Sequence, residues 1–351
     1  MTLTYKDGSF VLTTTYRESA VPKEAGFRWN ATKKQWWTRD YARAARLSSC
    51  ADIPAQAVLK AYEKTLKESR QLSRAMDADI EIPVPAGLEY RPFQKAGVAY
   101  ALQRRNTLIG DDMGLGKTVE AAGVINVTEP GRILVVCPAT LRPNWLRELE
   151  KWMVTRRRIG IAIGSDWPQD VEVVIINYDI LKRHHDALRA VTWDLLILDE
   201  VHYLKNPKAQ RTQHVFGSKT IDPIPAARIL GLTGTPILNR PIEMWPILNG
   251  LDPDSWPSRY KFGIRYARGY KGPWGWDFSG ASHLDELQDK LRSTIMIRRR
   301  KEDVLTELPP KQRQVIELPA NGARGVIKAE QDTWAEQQAR DWFGLSATCI
   351  F

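Results

Sequence analysis

Five short, almost wholly apolar runs set the strongest limit on how this chain folds: residues 107–109 (TLI), 133–136 (ILVV), 173–176 (VVII), 195–198 (LLIL) and 229–232 (ILGL). Strands that are apolar on both faces belong in a parallel sheet covered by helices on each side, because either face of an open antiparallel sheet would leave them wet. Stretches with helical spacing separate the runs, so an α/β fold with a central parallel sheet is expected. Each run also ends in polar, loop-forming residues: GDDMGLGKT, CPATLRPNW, NYDIL, DEVH and TGTP in turn. Open α/β sheets bind ligands at the carboxyl ends of their strands, and chemically capable residues collect there.

The first of these loops has the makings of a phosphate site. Asp112, Met113, Gly114, Leu115, Gly116, Lys117 and Thr118 follow a strand and open the helical stretch TVEAAGVINV. Glycines let backbone N–H groups turn toward phosphate, and a helix N-terminus adds the positive end of its dipole. Lys117 is placed to reach the β- and γ-phosphates and Thr118 to ligate Mg²⁺. The pattern G-x-x-x-x-G-K-[ST] places glycine where this chain has Asp111.

A second loop carries Asp199 and Glu200, a pair suited to holding Mg²⁺ and polarising an attacking water. Asp199 lies 82 residues from Lys117, but a parallel sheet places both on one rim. His202 reads equally well as a relay of the γ-phosphate state and as a packed, hydrogen-bonded side chain. Thr233, Gly234 and Thr235 offer two hydroxyls beside the acidic pair, placed to couple phosphate occupancy to movement. Each string alone is weak. Their order, each after a strand, is the signal.

Residues 1–48 read as a small α+β module with turns at Asp7-Gly8 and at Asn30. Phe27, Trp29, Trp36 and Trp37 are expected to fill its core; the other reading is a DNA-facing surface, since Arg28, Lys33, Lys34 and Arg39 interleave with the rings. Residues 49–87 read as a helix, with Val58, Tyr62, Leu66 and Leu72 on its apolar side, followed by a proline-marked linker. His184 and His185 read as a solvated helix face. Cys50, Cys137 and Cys349 lie far apart and read as reduced thiols, and no zinc site is expected. Lys and Arg number 51 against 41 acids, a net charge of +10 that favours an anionic partner such as nucleic acid. No apolar run reaches the roughly 18 residues of a membrane span.

Taken together these strings resemble the Swi/Snf type of superfamily 2 helicase. RPFQKAG, DDMGLGKT, CPATLRPNWLRELEKW, DEVHYLKN and LTGTPILNRPIEMW are similar to that family's motifs, and MIRRRKEDVLTELPPKQR resembles its arginine-rich brace. FRWNATKKQWW is loosely similar to small modules preceding the core of HepA-related annealing helicases. The resemblance implies a RecA-like P-loop lobe over residues 88–316, with ATP and Mg²⁺ as cofactors. It implies adenine contacts from Arg91 and Gln94, nucleic-acid contacts from Thr140, Asn144, Tyr178 and Asp179, and double-stranded DNA as partner. It also implies a cytoplasmic, nucleoid-associated or nuclear setting. No Q-x-x-G-R-x-x-R string follows residue 316, so residues 317–351 read as the start of a connector to a second lobe not found in this sequence. Weak turnover is expected without that lobe. The alternative is a nucleotide-gated, catalytically silent DNA-binding protein, and a small-molecule P-loop enzyme is a more distant reading.

Overall fold

The computed structural model describes residues 1–236, 240–273 and 275–305. The rest of the brace and the expected connector lie outside them. Four strands form the N-terminal sheet: β1 (Thr2–Lys6), β2 (Ser9–Thr13), β3 (Arg28–Asn30) and β4 (Gln35–Thr38), in the order β1-β2-β4-β3. Asp7 and Gly8 both take positive φ between β1 and β2, as a two-residue hairpin turn demands.

The core of this module is not made of tryptophans. Leu3, Phe10, Leu12, Phe27, Ala44, Leu47, Ala55 and Leu59 fill it. Trp29 stays 51% exposed, Trp36 packs only against the core's edge, and Trp37 is half-buried. The reason is register. Trp36 and Trp37 stand opposite Leu12 and Val11 on short strands, and Leu3, Phe10 and Leu12 of β1 and β2 already occupy the narrow interior.

The helix Ile53–Leu72 is capped by Asp52, whose carboxylate accepts from Ala55 N at 2.8 Å. Ala55 and Leu59 enter the module core, while Val58, Tyr62, Leu66 and Leu72 are half-buried. Farther on, the Ser73 hydroxyl donates to Met296 O at 2.8 Å. The helix therefore joins the module to the main sheet, and Met1–Thr306 is one compact unit.

That sheet contains β5 (Asn106–Ile109), β6 (Ile133–Cys137), β7 (Ile159–Ile161), β8 (Val173–Asn177), β9 (Trp193–Leu198) and β10 (Ala226–Leu232). A two-stranded hairpin, β11 (Tyr270–Gly272) and β12 (Gly275–Asp277), stands apart, and β13 (Met296–Ile297) completes the main sheet. Its order is β13-β5-β10-β9-β6-β8-β7, with every pair parallel. The five expected strands lie side by side, flanked by two short ones. Their double-sided apolarity is explained by two separate cores: Leu134, Val136, Leu196 and Leu198 face one, Ile133, Val135, Leu195 and Ile197 the other. Helices Pro92–Leu102, Lys117–Thr128 and Arg142–Trp152 cover the second face. No helix among the described residues is long and apolar enough to cross a membrane.

Two expectations change here. His184 is buried, with Nε2 3.1 Å from Gly164 O and its ring against Trp167, so it is packed and not solvated. The proline-marked linker has no helix or strand but is held to the sheet's helical layer. Ile82 is buried, and Asn126 Nδ2, with two hydrogens to donate, lies within hydrogen-bond distance of Pro83 O, the Tyr90 hydroxyl and Trp152 O, while its Oδ1 accepts from Val154 N. Asn126→Ala strands several buried polar groups at once and is expected to cost about 3 kcal/mol in urea unfolding. A loss below about 1 kcal/mol would show that the linker is anchored by other contacts.

Candidate nucleotide-binding site

Strand register brings the predicted residues to one rim. In β10, Leu232 pairs with Ile109 and Gly231 with Leu198. The next residues along, Gly110, Asp199 and Thr233, therefore emerge at nearly one level. Thr233 N donates to Ile109 O at 3.0 Å, extending the pairing one step. The strand carrying TGTP lies between the other two, so it touches both of their loops.

Gly114 and Gly116 both take left-handed backbone, with φ of 83° and 82°. A side chain at Gly116 would fall 2.5 Å from Gln94 Nε2, and one at Gly234 would fall 2.5 Å from Met113 Cγ and 3.5 Å from Lys117 Nζ. Glycine is required at Gly116 by its positive φ and the fixed Gln94 amide, whereas at Gly234 a side chain would have to displace the exposed Met113. Among the described residues, no group accepts from the backbone N–H of Gly114, Gly116, Lys117 or Thr118. Lys117 Nζ meanwhile donates to the carbonyls of Asp111 (2.9 Å) and Asp112 (3.4 Å). A cation and four free N–H groups at the start of a twelve-residue helix make a cradle for phosphate oxygens. Met113 is exposed and Leu115 buried, so the loop is pinned at one point and open at its crest.

Gln94 is buried, with both ends of its amide engaged: Oε1 accepts from Arg91 N at 3.0 Å and Nε2 donates to Leu115 O at 3.1 Å. Arg91 is exposed at the helix start.

On the neighbouring strand, Trp145 Nε1 donates to Asp199 Oδ2 at 2.7 Å and Glu200 N to Oδ1 at 2.9 Å. Burial pushes the Asp199 carboxyl up, and the Trp145 bond opposes that shift. The Asp199 carboxyl keeps free lone pairs, the hard oxygen donors of the kind Mg²⁺ takes. Glu200 is held ionised, below the usual range, chiefly by His202, whose Nδ1 lies 3.1 Å from Oε2. The same nitrogen is 3.4 Å from the Thr233 hydroxyl, which accepts from Thr235 N at 3.2 Å. His202 thus links the acidic pair to TGTP, and the charge of Lys117 lowers both Asp199 and Glu200. Cys137 sits nearby; burial pushes its thiol up to about 12, leaving it inert.

The four nucleic-acid candidates do not share one environment. Thr140 and Asp179 are exposed and Asn144 is half-buried. Tyr178 is buried, and its hydroxyl donates to Asp199 O at 2.8 Å. Its ring therefore supports the acidic strand and has no face to offer DNA.

Sequence reasoning missed a buried ion cluster behind the phosphate loop. Arg299 is 1% exposed and contacts Asp111 and Glu120, both fully buried. Its Nε donates to Asp111 Oδ2 at 2.8 Å and its backbone N to Oδ1 at 2.9 Å, and the guanidinium also donates to Phe93 O. Burial works against the Arg299 charge, but Glu120 and Asp111 outweigh it and hold the guanidinium above its ordinary value. Burial, reinforced by the Asp111 charge, pushes Glu120 well up, and burial raises Asp111 too, with the Arg299 charge pulling against both shifts. Asp112 is bound from the same segment by Arg298 (3.3 Å) and by Lys301 N (3.1 Å). The available signal was Asp111 itself, an acid where the general pattern has glycine.

Residues 26–325 match the SNF2-related domain. The chain belongs to the SNF2-related family. It is 35% identical over 261 residues to a SWI/SNF-related matrix-associated actin-dependent regulator of chromatin subfamily A-like protein 1 from Xenopus tropicalis, covering 72% of this chain and 27% of that protein. It is 34% identical over 278 residues to the Bos taurus DNA annealing helicase and endonuclease ZRANB3, covering 74% of this chain and 25% of that protein. The Sulfolobus solfataricus SWI2/SNF2 ATPase core in complex with dsDNA is similar in structure, with a TM-score of 0.53 and 25% identity, over 66% of this chain and 49% of that one. The chain spans about a quarter of the length of these two relatives. The sheet and its helices are accordingly a RecA-like lobe of the SNF2 type.

In this SNF2 lobe the Arg299 cluster fixes the root of the phosphate loop. Arg299→Met leaves Asp111 buried without its cation and is expected to cost about 3–5 kcal/mol in denaturant unfolding. Adding Asp111→Asn should recover part of that loss, because the stranded charge is gone. Additive losses in the double variant would show that the two side chains do not act as a pair.

Proposed function

We propose that this lobe binds Mg²⁺–ATP at the rim formed by residues 110–118, 199–202 and 233–235, and that hydrolysis there, completed by a second lobe, drives movement along duplex DNA. The observation that carries the reading is the convergence of Lys117, the acidic pair and the TGTP hydroxyls through β10. Lys117 would exchange two backbone carbonyls for β- and γ-phosphate oxygens, a charge-assisted replacement of neutral bonds. The free N–H groups of residues 114–118 would bind the remaining oxygens. Thr118 and Asp199 would hold Mg²⁺, which supplies neutralisation of charge on the β- and γ-oxygens. Trp145 orients the Asp199 carboxylate for that purpose. Glu200, ionised by its His202 contact, would position the attacking water and accept its proton. Arg91 is the exposed side chain for the base, while Gln94 would act through the backbone of Leu115.

Coupling would run from Glu200 through His202 to Thr233 and Thr235. Thr140, Asn144 and the backbone beside Asp179 would contact DNA phosphates. Lys182 and Arg211, which border a cavity of about 230 Å³ with Asp179, would offset that acid. The names of the annealing-helicase relative and of the dsDNA complex support duplex DNA as the track. A protein acting on DNA in fork remodelling or repair would work in the nucleoid or the nucleus.

Binding of a fluorescent ATP analogue with Mg²⁺ is expected to weaken at least about tenfold in Lys117→Ala, the loss of one strong charge-assisted contact. Steady-state turnover by residues 1–351 should stay low with duplex DNA, because an arginine finger is worth roughly 10³–10⁵ in rate. Robust DNA-stimulated turnover by this chain would refute the need for a second lobe. Unchanged nucleotide binding in Lys117→Ala would refute the site.

A further inference from the structure

The segment between Asp254 and Asp277 contains five basic residues, Arg259, Lys261, Arg265, Arg268 and Lys271, and no acid. All five are exposed, and of them Arg265 is paired with Glu286. The same segment divides its aromatic rings into two sets. Trp256, Phe262 and Tyr266 point into the main core and are nearly inaccessible. Tyr260, Tyr270 and Trp276 remain 48%, 60% and 43% exposed. Large rings held out of a core that lies within reach cost hydrophobic free energy, and clusters of them mark binding surfaces.

The outward rings are ordered against one another and against the cations. Tyr260 meets Trp276 edge-on, with centroids 4.8 Å apart, and Trp276 lies within 8° of parallel to Phe278 at 6.1 Å. The Arg259 guanidinium lies 5.4 Å over Phe278. In the β11–β12 hairpin, Lys271 stands directly opposite Trp276, so an ammonium and an indole project from the same face. Between this hairpin and Arg240, five residues beyond Thr235, opens a cavity of about 430 Å³ bordered by Arg259, Tyr270, Trp276, Phe278 and one acid, Asp277, which accepts from the Tyr270 hydroxyl at 3.3 Å.

We propose that this hairpin surface binds unpaired DNA bases, the rings stacking on exposed base faces while Arg240, Arg259 and Lys271 hold the adjoining phosphates. Aromatic platforms interleaved with cations bind single strands with little sequence preference, because every base has a π-face. Duplex DNA hides those faces, so the surface distinguishes a strand junction or a single-stranded arm from a continuous duplex. The inference rests on the reading of the lobe as DNA-acting only for the polymer's identity. It adds a subsite for single strands apart from the phosphate-loop rim.

The test compares binding of a blunt duplex, a forked duplex with single-stranded arms and a single-stranded oligonucleotide by fluorescence anisotropy. Tyr270→Ala and Trp276→Ala should each weaken single-strand and fork binding by roughly tenfold, the scale of one lost stacking contact, and leave blunt-duplex binding unchanged. Trp276→Phe, which keeps a ring, should retain most of the affinity. Lys271→Ala, at an exposed position, should weaken fork binding and lower the salt slope by about 1. Equal losses on all three DNAs, or no loss on the fork, would overturn the proposal. If Trp276→Ala fails to fold, unchanged fork binding in Lys271→Ala and Tyr270→Ala would overturn it equally. Binding of the ATP analogue is read in parallel: its loss in the parent chain would strike the nucleotide reading, whereas a fork-specific loss concerns the hairpin alone.

Discussion

Backbone pairing along β10 is the constraint on which the site depends. This strand hydrogen-bonds in parallel to β5 on one side and β9 on the other, at a register that brings residues 110, 199 and 233 out together. Parallel strands share one carboxyl edge, and a one-residue slip would turn every side chain of the strand to the opposite core. Both cores are filled, with Leu196 and Leu198 in one and Leu195 and Ile197 in the other, so slippage would misplace apolar groups on each face. The register is held by burial on both sides of the sheet, and the geometry of the rim follows from it.

The phosphate loop is restrained at its root and left open at its crest. Gly110 N donates to Ile297 O at 2.8 Å and Asp112 N to Arg299 O at 3.1 Å, so β13 and the arginines after it pair with the loop's first residues. Arg299 then fills the space behind the loop with a charge that contacts both Asp111 and Glu120. A side chain at Gly97 would fall 2.0 Å from Glu120 Oε1, which shows how tightly the helices close over this cluster. In contrast, residues 113–114 are exposed and, among the described residues, nothing accepts from the N–H groups of residues 114 and 116–118. Rigidity at the base with open donors at the tip suits a site that must receive a highly charged ligand without rearranging.

Much of this was legible in the sequence where burial is two-sided and the runs are long enough to read. The five central strands, the turn at Asp7-Gly8 and the shared rim of Lys117 and Asp199 all follow from local pattern. Strands β7 and β13 were not, because three and two residues carry no period. The tryptophans of residues 29–37 misled because side-chain size says nothing of which ring wins a small core; Phe10 and Phe27 were the better fit. The side chains of Tyr178 and Gln94 turn inward to hold backbone carbonyls of Asp199 and Leu115, an orientation that local pattern does not reveal. The Arg299 cluster joins residues 188 and 179 positions apart, a separation no local pattern spans.

Backbone hydrogen exchange with and without Mg²⁺–ATP tests whether three separate loops act as one nucleotide site. Amides of residues 113–118, 199–202 and 233–235 are expected to slow together on nucleotide addition, with the N–H groups of residues 114 and 116–118 slowed most. Protection confined to the phosphate loop, or appearing elsewhere while residues 199–202 and 233–235 exchange as before, would contradict it.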